Sequence, residues 1–200
     1  MKTIHALIAV LTVAFLLMQP VRAQQKDPIE KPPAPTGFRG EFIGQLNDVE
    51  KKIEELAGAM PENSYSWRPM EGVRSVSEVY MHIAGANYLF PTFIGVKKPE
   101  GLEKNLEKNV TEKAKVIQAL KVSFNHLRTA VLQTPDSDLD KATKMFGDDA
   151  TYRGVIFEAA LHLHEHLGQS IAYARMNKVV PPWTAAEQAA EKDAKKDTKK

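Results

Sequence analysis

The segment TYRGVIFEAALHLHEHLGQSIAYARM, residues 151–176, decides the fold of this 200-residue chain. Its apolar residues recur at steps of three, four or seven positions, and two prolines follow at 181 and 182. These apolar residues are Ile156, Ala160, Leu163, Leu167 and Ala174. Because an α-helix turns by about 100° per residue, the spacing places them on one face of a helix. The segment therefore predicts an amphipathic helix that must bury this face.

Three earlier segments repeat the helical spacing. The first contains Phe42, Leu46, Val49, Ile53, Leu56 and Met60, the second Val76, Val79, Ile83, Ala86 and Phe90, and the third Ile117, Leu120, Phe124, Leu127 and Val131. Ser75 and Glu78 form an S-x-x-E pattern before the second segment, which is typical of a capped helix start. No segment combines strict apolar alternation with hairpin turn residues. Four amphipathic helices that must each bury one face predict an all-α fold, a four-helix bundle.

The two ends of the chain differ in composition from the helical segments. Lys2, a thirteen-residue apolar run and the sequence Val21-Arg22-Ala23 predict a secretory signal peptide, residues 1–23, cleaved after Ala23. Proline-rich residues 24–37 predict a disordered spacer, residues 38–183 a bundle domain, and residues 184–200 a charged flexible tail. The apolar run is shorter than the about 20 residues of a membrane span. We therefore expect a secreted or periplasmic protein without stable membrane insertion.

Charge and composition argue against several function classes. The formal net charge is +2, of which Lys2 and Arg22 contribute +2 and the residues from Pro181 contribute +1, so residues 24–180 carry about −1. Such a segment lacks the strongly basic face of a nucleic-acid-binding protein. The sequence also has no cysteine, no G-x-S-x-G motif and no glycine-rich phosphate loop. It therefore lacks a thiol nucleophile, the nucleophile elbow of serine hydrolases and a P-loop.

Three histidines are the candidate metal ligands. His162 and His166 lie four residues apart, which places both imidazoles on one side of the predicted helix, about 40° apart. His82 lies beside the apolar face of the second helix, so the three rings meet if the second and fourth helices are neighbours. Three neutral imidazoles leave an open coordination position, as in catalytic zinc sites. Because HxxxH also occurs by chance, spacing alone leaves ordinary core or surface histidines as the alternative.

Glu158 and Gln169 share the side of the helix that carries these histidines. Glu158 precedes His162 by four residues, so it is a candidate fourth ligand, a candidate general base, or a carboxylate that orients an imidazole. A solvated surface glutamate is the alternative at this position.

The residues around the histidines resemble those of a known family. The matching residues are His162, His166, Gly168 and Gln169 in the pattern HxxxHxGQ, then Tyr173, Arg175, Asn177 and Pro181-Pro182, and upstream Tyr65-Ser66-Trp67-Arg68-Pro69, Ser75-Val76 and His82. With these motifs, residues 38–183 are similar to the DinB-like (DinB/YfiT-like) family of metal-binding four-helix bundles.

The resemblance implies an up-down-down-up topology, which the long connections near residues 59–74, 95–109 and 135–150 do not fix by themselves. It also implies a divalent cation, commonly zinc or nickel, held by the residues that match the family's ligands. These residues are His82, His162 and His166. Family members include thiol transferases, a thiol-dependent isomerase and metal-dependent hydrolases. Leu167 departs from the family, which often carries a basic residue there, so no anionic substrate group is expected at that position.

Together these observations predict an exported metal-dependent hydrolase or transferase that acts on an unknown small molecule. The hydrolase is favoured because low-molecular-weight thiols act mainly in reducing compartments. The main alternative is a non-catalytic bundle that uses the cation to bind a ligand or to join two helices. A bundle without metal is the third interpretation, and a homodimer is compatible with the sequence.

Overall fold

The computed structural model describes residues 35–197. The predicted signal peptide, residues 1–23, and residues 24–34 of the predicted spacer lie outside the described residues, as do residues 198–200. The first helix begins at Gly37, the last residue assigned to the spacer. Residues 35–197 belong to one compact unit.

Four long helices contain the apolar faces predicted from the sequence. They are α1 (Gly37–Ala59), α2 (Val76–Leu89), α4 (Lys113–Gln133) and α5 (Tyr152–Met176), with the short α3 (Leu106–Asn109) before α4 and α6 (Pro182–Asp197) at the end. Short 3-10 turns lie at Glu62–Ser64, Phe90–Ile94 and Asp136–Asp138. The largest fully buried side chains come from all four long helices, among them Leu46, Ile83, Leu120, Phe124 and Leu163. The fold is therefore the predicted four-helix bundle, with a small β-hairpin added.

Contacts between helix ends fix the direction of α1 against α4. Near the start of α1, Arg39 forms an ion pair of 2.6 Å with Asp136, which follows the end of α4. At the other end, the Nζ of Lys113 at the start of α4 donates a hydrogen bond of 2.8 Å to the carbonyl oxygen of Gly58. The beginning of each helix thus lies beside the end of the other. The two helices run antiparallel.

The remaining directions follow from two contacts between helix starts. The guanidinium of Arg153 in α5 lies 5.2 Å from the ring centre of Phe38 at the start of α1, so these helices run parallel. Lys108, just before α4, donates a hydrogen bond of 2.7 Å to Glu78 in the first turn of α2, so α2 and α4 also run parallel. Because α1 and α4 are antiparallel, the order of the four long helices is up-down-down-up, as the resemblance implies.

A two-stranded antiparallel hairpin lies between α4 and α5, where the sequence predicted only a connection over residues 135–150. Strand β1 (Ala142–Met145) pairs with β2 (Asp148–Thr151), with Met145 opposite Asp148. The turn residues Phe146 and Gly147 have φ angles of 55° and 101°, as in a tight type I′ hairpin turn. The sequence pattern did not predict this hairpin, for two reasons. Each strand has only four residues, and the turn carries Phe where Asn or Asp is usual.

The last helix, α6, extends into the segment predicted as a charged flexible tail, residues 184–200. Trp183 near its start packs partly against the core, whereas residues 185–196 are exposed. A helix that buries so little apolar surface receives little stabilisation from the bundle. Among the helices of residues 35–197, none has the length and apolar content needed to cross a membrane.

The start of α2 carries the capping box predicted from the sequence. The Oγ of Ser75 accepts a hydrogen bond of 3.3 Å from the backbone N–H of Glu78, and the Glu78 carboxylate accepts one of 2.8 Å from the N–H of Ser75. The buried carboxylate also pairs with Lys108 at 2.7 Å and with Arg68 at 3.1 Å. Burial alone would raise the pKa of Glu78, but the hydrogen bonds from Lys108 and the Ser75 N–H outweigh it. The pKa is lowered to about 2.

We expect Glu78→Gln to lower the free energy of unfolding at pH 7 by about 1 to 3 kcal/mol, because Lys108 and Arg68 lose a charged partner. Since the pKa is lowered in the folded state, this contribution is complete above the ordinary value of 4.5 and disappears as the pH falls towards about 2. Urea unfolding at several pH values should show the gap between wild type and variant shrinking with acid. The exposed Glu100→Gln is the matched control. An equal gap at pH 7 and pH 3 would contradict the prediction.

Candidate metal centre

His82 on α2 meets His162 and His166 on α5. The Nε2 atoms of His82 and His162 are 3.2 Å apart, and one ring nitrogen of each histidine lies within 4.8 Å of the other two. His166 is buried, and the other two rings are half-buried. His162 and His166 lie one helical turn apart on α5, whereas His82 is 80 residues from His162 in the sequence. The bundle therefore brings the three histidines close enough to bind one ion.

The separation of the ring nitrogens fits a shared cation. Imidazole nitrogens bind zinc at about 2.0 to 2.1 Å, so two of them on one tetrahedral ion stand about 3.3 Å apart. The observed Nε2 separation of 3.2 Å agrees with that value. Two neutral rings whose lone pairs face each other at this distance repel unless a cation or a proton lies between them. An all-nitrogen donor set favours zinc or nickel over calcium or magnesium, which take oxygen ligands.

Burial favours the neutral form of the His82 and His162 rings, the state in which imidazole binds a metal. Burial, with smaller contributions from His166 and His82, lowers the pKa of His162 to about 3. Burial also lowers the pKa of His82, although the hydrogen bond with Glu107 acts in the opposite direction. The Nδ1 of His162 is buried and has no hydrogen-bond partner within residues 35–197. Polar contact for this ring is thus made on its Nε2 side, towards the other histidines.

Glu107 on α3 orients the ring of His82. Its Oε1 lies 2.9 Å from the His82 Nδ1, and its Oε2 accepts a hydrogen bond of 2.9 Å from the Arg74 Nε. Although burial raises the pKa of Glu107, the hydrogen bonds from Arg74 and His82 outweigh it and lower the pKa. An ionised carboxylate only accepts hydrogen bonds, so the His82 proton lies on Nδ1 and Nε2 keeps its lone pair towards His162. No helical spacing relates Glu107 to the histidines, because it lies 25 residues after His82 on another helix.

Gln169 orients the ring of His166 in the same way as Glu107 orients that of His82. Its side-chain oxygen accepts a hydrogen bond of 2.8 Å from the His166 Nδ1, and its amide nitrogen lies 3.2 Å from the hydroxyl of Tyr173. That hydroxyl donates a hydrogen bond of 3.1 Å to the backbone carbonyl of Arg74. The chain of hydrogen bonds connects α5 to the segment before α2. Side chains that fix the tautomer of a ligand histidine in this way raise its affinity for metals.

Glu158 lines the same cavity as His162, one helical turn before it, but lies outside the group of candidate ligand atoms. The part of an orienting carboxylate, one of its predicted roles, belongs to Glu107 instead. Within the described part of the chain, no hydrogen bond or ion pair holds Glu158. A general base and a solvated glutamate are the roles that fit this position. The exposed His164 also lies outside the group.

A cavity of about 670 Å³ opens beside His82 and His162. Its apolar wall is formed by α2, the segment around α3 and the turn of the hairpin. The wall includes Met81, Leu89, Phe90, Leu102, Leu106 and Phe146. Small-molecule sites commonly have volumes of about 300 to 1,000 Å³. The histidines therefore lie at the edge of a cavity of the size that a small molecule needs.

Comparison with known proteins places these features in a family. The model of the DinB superfamily matches residues 45–170 of this chain. Three solved structures are similar to it. A DinB-like protein from Bacillus cereus ATCC 10987 has a TM-score of 0.63 at 17% identity, covering 70% of this chain and 93% of that protein. The DinB-like protein YjoA from Bacillus subtilis has a TM-score of 0.57 at 21% identity, and the match covers 70% of this chain and 93% of that protein.

The third structure is YfiT from Bacillus subtilis, described as a probable metal-dependent hydrolase with an unusual four-helix bundle topology. Its TM-score is 0.57 at 14% identity, and the match covers 75% of this chain and 94% of that protein. At these identities, the likeness to the three structures shows the fold alone. No curated protein matches the chain.

Proposed function

The chain belongs to the DinB superfamily, and on that basis we propose that it is an exported metal-dependent hydrolase of a small molecule. The observation that carries the proposal is the convergence of three imidazoles at the edge of a cavity. Zinc or nickel is the proposed cation, held by His82, His162 and His166. The description of YfiT supports the reaction class. The predicted signal peptide, residues 1–23, supports export to the periplasm or the medium.

Hydrolysis suits this site better than thiol transfer. A thiol transferase uses low-molecular-weight thiols, which are kept reduced mainly inside the cell, whereas the sequence predicts export. Hydrolysis needs only water, a polarised carbonyl group and a base. The cavity beside the histidines gives a substrate access to the proposed centre, and Glu158 lies on the same cavity wall.

Each side chain then has a defined part in ester or amide hydrolysis. When bound, a divalent cation supplies Lewis acidity, which polarises a carbonyl group and makes water a stronger nucleophile at neutral pH. Glu107 and Gln169 hold two of the imidazoles in the tautomer that directs a lone pair inward. Glu158 takes a proton from water as the water oxygen bonds to the carbonyl carbon, and gives it to the leaving alcohol or amine as the C–O bond of the ester or the C–N bond of the amide breaks.

Hydrolysis assays on metal-defined protein test the proposal. Protein freed of metal, and then loaded with zinc or with nickel, is assayed on 4-nitrophenyl acetate, hexanoate and octanoate and on the matching anilides. We expect hydrolysis only in a loaded form, and its loss in His162→Ala. The matched control is His164→Ala, which removes an exposed histidine from the same helix.

The same experiment separates the hydrolase from a non-catalytic metal-binding module. A module would bind one equivalent of metal yet hydrolyse none of these substrates. Substitution with cobalt adds a second criterion, because the visible spectrum of an accessible site changes when anions bind. A cobalt spectrum that ignores added azide, together with the absence of hydrolysis, would refute the hydrolase proposal.

We expect Glu107→Gln to weaken zinc binding by about 10- to 100-fold, because the acceptor that orients His82 loses its charge. Glu107→Ala should weaken it further, since no acceptor oxygen remains near the His82 Nδ1. Competition against a chromophoric chelator measures the dissociation constants. Glu103→Gln is the matched control, because Glu103 lies in the same segment and lies outside the group of candidate ligand atoms, accepting hydrogen bonds from Asn105 and Asn109. Equal zinc affinities in Glu107→Gln and Glu103→Gln would show that Glu107 has no such role.

A further inference from the structure

Phe146 occupies a backbone position that phenylalanine disfavours. It is the first of two turn residues between the paired Met145 and Asp148, and its φ angle is 55°. Positive φ at a bulky residue is a steric outlier, and Asn-Gly or Asp-Gly is the usual pair in such a turn. The ring is also 66% exposed, so burial does not compensate for the strain. Neither the local backbone nor the core explains a phenylalanine here.

The position of the ring in the cavity does explain it. Phe146 contacts Phe93 edge to face, with ring centres 5.0 Å apart, and lies 6.4 Å from Phe90. Phe90 in turn lies 5.5 Å from the ring of His162. Phe146 and Phe90 both line the 670 Å³ cavity, so aromatic surface continues from the exposed turn inward to the histidines. Strained residues concentrate where a ligand is held.

We propose that Phe146 forms the outer wall of a binding site for an apolar acyl group. This inference rests on the proposed function and names its substrate class, an ester or amide of a medium-length fatty acid. The carbonyl group would lie at the histidines, and the acyl chain would lie along Phe90 and Leu89 towards Phe146. The cavity lining combines the apolar side chains of Met81, Leu102 and Leu106 with charged ones, among them Lys98, Lys104 and Lys108. The apolar part of the wall, which includes Phe90 and Phe146, is the surface proposed to take a chain of methylenes.

The test uses hydroxamates of increasing chain length, because their head group binds metal and their tail reports on the cavity. For zinc-loaded wild type, we expect affinity to rise from acetohydroxamate to octanohydroxamate by up to about fourfold per methylene until the cavity is filled. Phe146→Asn should lower the ratio of the affinity for octanohydroxamate to the affinity for acetohydroxamate by about tenfold. The control Phe157→Asn, which removes an exposed phenylalanine of α5 outside the cavity, should keep the ratio of wild type.

Phe146→Asn has a further advantage, because asparagine tolerates positive φ and Asn-Gly is the preferred pair for this turn. We expect its Tm to be higher than that of wild type by about 2 to 4 °C, so that loss of binding cannot be attributed to unfolding. If Phe146→Asn keeps the wild-type ratio of octanohydroxamate affinity to acetohydroxamate affinity, the proposal is overturned. The proposal is also overturned if wild type binds octanohydroxamate and acetohydroxamate with nearly equal affinity.

Binding of 8-anilinonaphthalene-1-sulfonate to metal-free protein keeps this inference separate from the proposed function. This probe reports on the apolar cavity without requiring a cation. If zinc does not bind, the proposed function fails, and the fluorescent probe alone decides the present inference. An affinity about tenfold lower in Phe146→Asn than in Phe157→Asn supports the acyl site, and equal affinities overturn it.

Discussion

His162→Ala is expected to remove bound zinc or nickel from the purified protein and to weaken affinity for the ion by more than about 100-fold. The estimate is a lower bound, because loss of a group that only orients a ligand already costs about 10- to 100-fold. His82→Ala and His166→Ala should have effects of the same order, since the three ring nitrogens lie within 4.8 Å of one another. Elemental analysis of protein purified without a histidine tag gives the stoichiometry directly.

Thermal unfolding provides a second measurement of this prediction. A ligand that binds only the folded state stabilises it by about 4 kcal/mol at 1,000 times its dissociation constant. Zinc should therefore raise the Tm of wild type and of the control His164→Ala, but not that of the three variants. His82→Ala is the decisive variant, because His82 alone comes from α2. Equal metal content in His82→Ala and wild type would show that the ion, if bound, is held by α5 without α2.

The helices could be predicted because their apolar spacing is a local property of the sequence. Every apolar residue of the first two predicted faces is buried in the bundle. The third face shows the limit of such prediction. Val116 is fully buried in α4, whereas the predicted Ile117 is only partly buried. Adjacent residues differ by about 100° around a helix, and the edge of a face depends on which helices pack against it.

The topology and the hairpin depend on contacts that apolar spacing does not encode. The ion pair between Arg39 and Asp136 joins residues 97 positions apart, and no local pattern predicts it. Long connections permitted several helix orders, and the family resemblance supplied the order that is found. In the hairpin, Phe146 occupies a turn position where Asn or Asp is usual, so no turn residue marked the hairpin in the sequence. This is also the residue that we assign to ligand binding. Sequence rules often fail where a residue is retained for function.

The candidate site likewise contains residues that local sequence patterns predict and one that only the fold reveals. His162 and His166 could be paired from their spacing, and Gln169 could be placed on the same helical face. Glu107 could not be found, because its contact with His82 requires the segment after α2 to return past that helix through α3. Residues that touch the proposed ion directly are thus visible in the sequence as motifs. The acceptor that orients one of them is visible only in the fold.

Glu158→Gln is expected to lower kcat for the hydrolysed ester by about 100- to 10,000-fold while leaving zinc content unchanged. Glu158 lies one turn before His162 on the cavity wall and outside the group of candidate ligand atoms, so its loss should affect proton transfer rather than metal binding. The carboxylate has no hydrogen bond or ion pair within residues 35–197 that would compete for the proton. The amide of glutamine has similar size and cannot take up the proton of the attacking water.

Measurements of kcat, KM and zinc stoichiometry on the same preparations distinguish this role from others. A general base predicts a large loss of kcat with little change in KM, whereas a substrate-binding residue predicts a rise in KM. Glu165→Gln is the matched control, since Glu165 is exposed on the same helix and lies outside both the cavity and the ligand group. A kcat for Glu158→Gln within threefold of that for Glu165→Gln would assign Glu158 to the solvated surface. The base would then have to be sought among the other carboxylates of the cavity, of which Glu107 is already engaged by Arg74 and His82.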